Sequence, residues 1–470
     1  MRKTGFWAFL VGVMGLQAQV VTLNPTFATE NDTVTVVFDA TQGNGDLTGV
    51  VPVYAHTGVI TNLSTSPTDW RHVQGNWGTA HAKVLMTPLG NNKHQIKYHI
   101  RSFYNVPANE TVQRLAFVFR NTAGTVVGRA ADGSDIFVDL FAGGFAAAIL
   151  APDEDFAILE SADSLVIRAE SSAEAILTLT ENGVQVARDS AVKILGHTFK
   201  ANQHAPGLYA VVLQADNGTV SVWDTLNILV RGTTPTGPLP STAREGITYL
   251  SSTSVYLQLR APLKDYVYVV GDFNNWTPDP AFEMTRSTDG QFYFITLNNL
   301  TAGQPYRFQY HIDAEGMRVA DPYSELILDP WNDPWINPQT FPNLLPYPTG
   351  KTNFPVGVLE PGKAPYNWDT TIAYTRPDPT ELVVYELLIR DFDQRHTFQS
   401  VIDRLDYIDS LGFNAIELMP IMEFEGNESW GYNPMFFCAP DKYYGPGEDF
   451  KKLVEECHKR GIAVLLDIAL

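Results

Sequence analysis

From about residue 20 to residue 335, apolar and polar positions alternate in short runs. Thr33-Val34-Thr35-Val36-Val37-Phe38, Ala116-Phe117-Val118-Phe119-Arg120, Ser164-Leu165-Val166-Ile167-Arg168 and Leu208-Tyr209-Ala210-Val211-Val212-Leu213 are of this kind. A period of two sends successive side chains to opposite faces, so each run predicts a strand. Gly43-Asn44-Gly45-Asp46 and Glu181-Asn182-Gly183 separate the runs with residues that accept turn conformations. Regularly spaced short strands with such punctuation predict β-sandwiches. Three modules are expected, at 20–141, 142–231 and 244–335, with a soft boundary near Gly143-Gly144 and a Gly/Thr/Pro-rich linker over 232–243. Residues 336–378 are rich in Pro, Asn and aromatics without a helical or strand period, which predicts an ordered connecting segment packed on its neighbours.

After residue 380 the period changes. Residues 382–389 form an apolar run interrupted by Glu386, and 415–419 and 462–466 are two further runs. Between the first two, Phe398, Val401, Ile402, Leu405, Ile408 and Leu411 recur at helical spacing, closed by Gly412. Between the last two, Phe450, Leu453, Val454 and Cys457 mark a second helix, and Gly461 stops it. Glu448 and Asp449 at its start and Lys459 and Arg460 at its end match the helix dipole. Such β-α-β-α-β order over 379–470 predicts a parallel sheet. A doubly wound dinucleotide-binding sheet and a (β/α)8 TIM barrel both begin this way. No G-x-G-x-x-G follows the first strand, so the barrel is the better reading, with three of its eight strands in this sequence. The expected fold class is multidomain: three β-sandwich modules followed by the first three β/α units of a TIM barrel.

Composition narrows the partners. At 470 residues, 44% hydrophobic and 18% charged, the chain is globular and long enough for about three or four domains. A net charge of −20 excludes nucleic acid, whose phosphates require clustered Lys and Arg, and is compatible with a neutral polysaccharide. Arg2 and Lys3, an apolar stretch from Phe6 to Leu16, and small residues around Ala18 predict a signal peptide at 1–19, hence a secreted or cell-surface protein. The stretch is too short for a membrane span, which needs about 20 apolar residues, and no later segment is long and apolar enough. A monomer is expected. Neither Cys438 nor Cys457 has metal-ligand spacing; a buried free thiol is expected at Cys457, with a Cys438–Cys457 bridge as the alternative.

In a TIM barrel the active site lies at the C-terminal ends of the strands, so the residues found there carry the functional reading. Val384-Tyr385-Glu386-Leu387-Leu388-Ile389-Arg390-Asp391-Phe392 resembles the first barrel strand of the α-amylase family of glycoside hydrolases, and Leu411-Gly412-Phe413-Asn414-Ala415-Ile416-Glu417-Leu418-Met419-Pro420 resembles its second. Trp430-Gly431-Tyr432-Asn433-Pro434, Tyr443-Tyr444-Gly445 and Glu448-Asp449-Phe450 continue the pattern. So does His458-Lys459-Arg460-Gly461-Ile462-Ala463-Val464-Leu465-Leu466-Asp467. The resemblance implies that Asp467 is the sugar-site carboxylate after strand three and that Tyr432 stacks on the sugar at the cleavage point. Trp430 is either a sugar contact or a loop anchor, and Glu386 is a paired interior carboxylate. In this family the nucleophile and the acid/base come from strands four and five, so no catalytic residue is assigned within the chain; both are expected beyond Leu470. No metal ligands are assigned and no cofactor is expected here, although the family's calcium sites leave calcium open for the full-length protein.

Val267-Tyr268-Val269-Val270 followed by Gly271-Asp272-Phe273-Asn274-Asn275-Trp276 resembles the β-sandwich module that precedes the barrel in glycogen-branching and debranching enzymes. Trp276 is then a sugar platform or a turn anchor. Tyr54, Trp70 and Trp77, near Gly- and Asn-rich loops, are candidate starch contacts of the first module, and the second reads as an immunoglobulin-like spacer. The function these resemblances imply is retaining hydrolysis of internal α-1,4-glucosidic bonds in starch or glycogen. Debranching or branching by a member of the same family is one alternative. A non-catalytic glucan-binding surface protein is the other.

Overall fold

Strand alternation decides the first half of the chain. In Thr33–Asp39 the side chains of Val34, Val36 and Phe38 are buried while Thr33 is exposed. The computed structural model describes residues 20–469 except 67, 132, 153, 242–243 and 314–315, so the expected signal peptide lies outside the described residues. The chain divides into two compact units, Met1–Gly232 and Thr233–Leu470.

The first unit begins with two antiparallel sheets. One has the order Val21–Asn24, Thr33–Asp39, Lys93–His99, Thr87–Gly90; the other runs Arg71–Gln74, Tyr54–Thr61, Val112–Arg120, Val127–Gly128, with Ile136–Asp139 also paired to Val112–Arg120. Both feed one core, in which the rings of Phe38 and Phe119 stack with centroids 4.0 Å apart. Residues 147–230 form six hydrogen-bonded strands around their own core. Among them, Ser164–Glu181 changes neighbours along its length, pairing with Ala147–Ala151 in its first half and with Gly207–Asp216 in its second. The turn at Asn182-Gly183, both with positive φ, folds Val184–Lys200 back along it.

The second unit opens with another pair of sheets sharing one core. Thr236–Gly237, Thr285–Ser287, Phe292–Leu297, Ser254–Arg260 and Gly246–Ser251 make the first. Val267–Gly271, Tyr306–Ile312, Val356–Leu359 and Ile327–Leu328 make the second, with Met317–Val319 beside Tyr306–Ile312. Two expectations are corrected. Part of the linker is docked: Thr236–Gly237 pairs in parallel with Thr285–Ser287. The connecting segment supplies a buried strand, Val356–Leu359, because its four apolar or small residues complete the sheet between Tyr306–Ile312 and Ile327–Leu328. Four residues between Pro-rich stretches are too short to register as a period.

Val384–Leu387, Ala415–Leu418 and Ala463–Leu466 then pair in parallel, in that order. The first expected helix is broken into Phe398–Ile402 and Leu405–Ser410, yet Phe398, Val401, Leu405 and Ile408 are all buried, so the apolar stripe survives the break. Thr397 caps it by accepting a hydrogen bond from Ser400 N at 3.1 Å. The second helix, Gly447–Lys459, buries Leu453 and Cys457. Both cysteines are free thiols, Cys438 exposed and Cys457 buried. Among the described residues no helix is long and apolar enough to cross a membrane.

Candidate active site and aromatic side chains

The register of the parallel sheet aligns Glu386, Glu417 and Leu465 in one row and Leu387, Leu418 and Leu466 in the next. Successive rows point to opposite faces. Leu387 and Leu418 pack with Phe398, Leu405 and Leu453 of the helices, so Glu386 and Glu417 lie side by side on the other face. Asp467 is two residues past Leu465 and therefore shares that face. Its backbone N–H still bonds Leu418 O at 2.9 Å, which extends the ladder to the C-terminal end of the sheet.

Tyr432 reaches this end from the loop after the second strand, and its hydroxyl donates to Asp467 Oδ2. That bond to a carboxylate, together with the nearby charges of Asp467, Glu386 and Glu417, raises the phenol to about 12. The ring is 46% exposed, and Trp430 beside it 61%. The loop is fixed before any ligand arrives. Gly431 has φ +88°, and a Cβ there would sit 2.4 Å from Pro420 O, so glycine is required. Ser429 Oγ accepts from Gly431 N at 2.9 Å and donates to Asn433, whose Nδ2 holds Glu425 O at 3.1 Å. Sequence reasoning placed Tyr432, Trp430 and Asp467 at this end of the strands, and the structure brings Tyr432 and Asp467 into contact.

The other acids near the strand ends are engaged in ion pairs. Asp391 bonds Arg390 at 2.8 Å. Asp393 is held down to about 2, first by the Arg395 side-chain hydrogen bonds. Among the described residues, no group of three or more His, Cys, Asp or Glu is arranged to hold a metal ion.

A buried ionic knot, unmarked by any motif, lies among Lys442, Glu423 and Asp333. Lys442 Nζ, fully buried, pairs with Glu423 and lies 3.2 Å from Asp333 Oδ1. Burial opposes its charge, but Glu423, Asp333 and Asp441 outweigh that and keep the ammonium's pKa high. Burial pushes the carboxyls of Glu423 and Asp441 upward. The knot ties the turn Asp333–Trp335 to the hairpin Met422–Phe424/Pro434–Pro440, and Asn427 Nδ2 adds a bond to Asn332 O at 3.0 Å. Trp331 and Trp335 stand exposed on the tied segment. The partners are far apart in sequence, so no local pattern marks them.

Of the β-module candidates, Trp276 fits the turn-anchor reading of the two left open, and Tyr54 is corrected. Trp276 is only 6% exposed; its Nε1 donates to Asp272 Oδ1 at 3.2 Å, and Leu344, Leu345 and Tyr347 pack over the same cluster. It is a turn anchor, and the cavity of about 430 Å³ beside it is walled by the bidentate Asp272–Arg307 pair and by Lys351. Tyr54, 6% exposed, lies in the core beneath Arg120. Trp70 is half-buried and Trp77 is exposed.

Residues 389–470 match the family described as the α-amylase catalytic domain, residues 246–332 match carbohydrate-binding module 48 (isoamylase N-terminal domain), and residues 21–127 match a domain family of unknown function. Malto-oligosyltrehalose trehalohydrolase from Saccharolobus solfataricus is 34% identical over 189 residues, 40% of this chain and 28% of that protein. A 1,4-alpha-glucan branching enzyme from Pseudomonas putida is 31% identical over 219 residues, 44% of this chain and 27% of that protein. The chain thus spans less than a third of the length of these curated relatives. The crystal structure of apo pullulanase from Paenibacillus barengoltzii overlaps 49% of this chain and 38% of its own, at 19% identity and a TM-score of 0.37, too partial an overlap to bear on the arrangement. The strand-end residues, their register and the matched family model agree: residues 389–470 are similar to the opening part of an α-amylase catalytic domain.

Proposed function

We propose that the full-length protein hydrolyses internal α-1,4-glucosidic bonds of starch- or glycogen-type glucans with retention of configuration. The observation that carries this reading is the Tyr432–Asp467 pair, an exposed ring fixed over the C-terminal end of the parallel strands. A flat ring suits a pyranose because it packs against the axial C–H groups. Asp467 then accepts hydrogen bonds from the sugar in the network that Tyr432 orients. Retention needs two carboxyl groups about 5 Å apart, one nucleophile and one acid/base. The resemblance assigns both to strands four and five, beyond Leu470. The 470-residue chain by itself is therefore expected to release no reducing sugar. The segment 1–19 reads as an export signal, which suits an enzyme acting on external polymer as a monomer, with calcium as a further requirement open for the full-length protein.

A second reading is debranching or branching. It is favoured by the match of 246–332 to the isoamylase N-terminal domain and by relatives named as branching enzymes.

The test is kinetic. In the full-length protein, Tyr432→Ala should lower kcat/KM about a hundredfold through loss of positioning. Tyr432→Phe, which keeps the ring and loses one hydrogen bond to a charged group, should lose about tenfold or more. Wild-type kinetics in a normally folded Tyr432→Ala variant would reject the site.

A further inference from the structure

The geometry points to a second α-glucan-binding site on the outer sheet face of the N-terminal module, with Trp77 as its platform. In the pairing of Tyr54–Thr61 with Val112–Arg120, Thr57 and Val59 face the core opposite Phe117 and Leu115. His56 and Gly58 therefore face outward, opposite Val118 and Ala116, and Ala116 pairs in turn with Phe137. The small residues leave a shallow floor. A Cβ at Gly58 would come 3.2 Å from Trp70 Cε3, so the indole of Trp70 lies directly on that floor. An aromatic row results: Trp77 edge-on to His56 at 5.2 Å, His56 against Trp70 at 5.8 Å, and Trp70 edge-on to Phe137 at 6.3 Å.

A buried arginine supports the platform, its guanidinium 5.9 Å from the Trp77 ring centroid. Arg120 is fully buried, and the hydrogen bonds of its terminal nitrogens all go to backbone carbonyls: Asn121 and Thr122 at 3.0 Å, Asn76 and Thr79 at 2.8 Å. A guanidinium taken out of water to hold carbonyls is an expensive device. Those carbonyls belong to the two loops that frame Trp77. Gly124, with φ +71°, lies so close that a Cβ would meet Trp77 Nε1 at 2.7 Å. The outcome of this support is an indole that stays 47% exposed yet fixed in place. Pre-set exposed aromatics bind with little ordering cost.

The rim suits an uncharged polyhydroxyl ligand. Arg114 is paired with Asp139 at 2.8 Å and Arg71 with Glu110 at 3.1 Å, so the nearby charges cancel in pairs. His56 Nδ1 donates to Gly75 O at 2.7 Å, so the ring's other nitrogen, Nε2, is left for a sugar hydroxyl. The row lies on a sheet face, so it offers no edge for a peptide strand. The choice of an α-glucan rests on the proposed function of the barrel.

Affinity electrophoresis of the intact chain in amylopectin gels tests it, with hydroxyethylcellulose, a β-linked glucan, as the control. Retardation by amylopectin alone is expected, weakened about tenfold or more by Trp77→Ala and largely kept by Trp77→Phe. Equal thermal unfolding of the Trp77→Ala variant and the wild type shows that the fold is retained. Retardation that Trp77→Ala leaves intact would overturn the site while leaving the α-glucan reading of the barrel in place. Equal retardation in both gels would overturn the ligand class. No retardation in either gel would overturn the proposal as a whole, and starch turnover by the full-length protein would then judge the barrel separately.

Discussion

Two carboxylates join residues far apart in the chain: Asp467 accepts from Tyr432, 35 positions away, and Glu110 gathers partners from 38 to 49 positions away. Its carboxylate accepts from Arg71 Nε at 3.1 Å, His72 Nε2 at 3.0 Å and Thr61 Oγ1 at 3.1 Å. Arg71 first, and then His72, depress its pKa from 4.5 to about 2. A carboxyl depressed in the folded state stabilises above its unfolded pKa and loses that contribution as pH falls through the folded one. The stabilisation from Glu110 is therefore expected to be complete above pH 4.5 and to fade towards pH 2. Thermal unfolding across that window, wild type against Glu110→Gln, checks it. The variant should be less stable at pH 6 and the difference should shrink on acidification. A difference that grows as pH falls would contradict the assignment.

Elements with a sustained period were legible, and short or irregular ones were not. The helix Gly447–Lys459 and the three parallel strands lie where their apolar spacing and flanking glycines put them. Val356–Leu359 escaped notice because four residues define no period, and its strand character comes only from the partners waiting on either side. Trp276 shows the same ambiguity in a side chain: an aromatic after a turn reads alike whether Tyr347 covers it or solvent does. The loop carrying Tyr432 is the element on which the proposed site depends. Gly431→Ala would force a Cβ into Pro420 O at a positive φ, at a cost of about 1–3 kcal/mol of backbone strain. Limited proteolysis should then cut within 425–434 faster than in the wild type. Unchanged cleavage and unchanged thermal stability would show that the loop does not depend on this glycine.

On the scale of the whole molecule, the β-rich first half and the parallel sheet that ends the chain followed from the switch of period after residue 380. The buried Lys442 knot that fastens Asp333–Trp335 to the loop hairpin did not, because it is an assembly of distant charges with no repeat. That fastening sets exposed Trp331 and Trp335 on the segment bonded through Asn332 to Asn427, in the loop that carries Tyr432. Retaining cleavage of internal α-1,4 bonds at the site that Tyr432 and Asp467 begin is the activity proposed for the full-length protein. Proton NMR of the first products that protein releases from linear amylose decides it. Shortened chains with new reducing ends in the α configuration are expected, at a rate sharply reduced by Asp467→Asn. First products in the β configuration, or linear amylose left uncut while branched glucan is cleaved, would overturn the proposal.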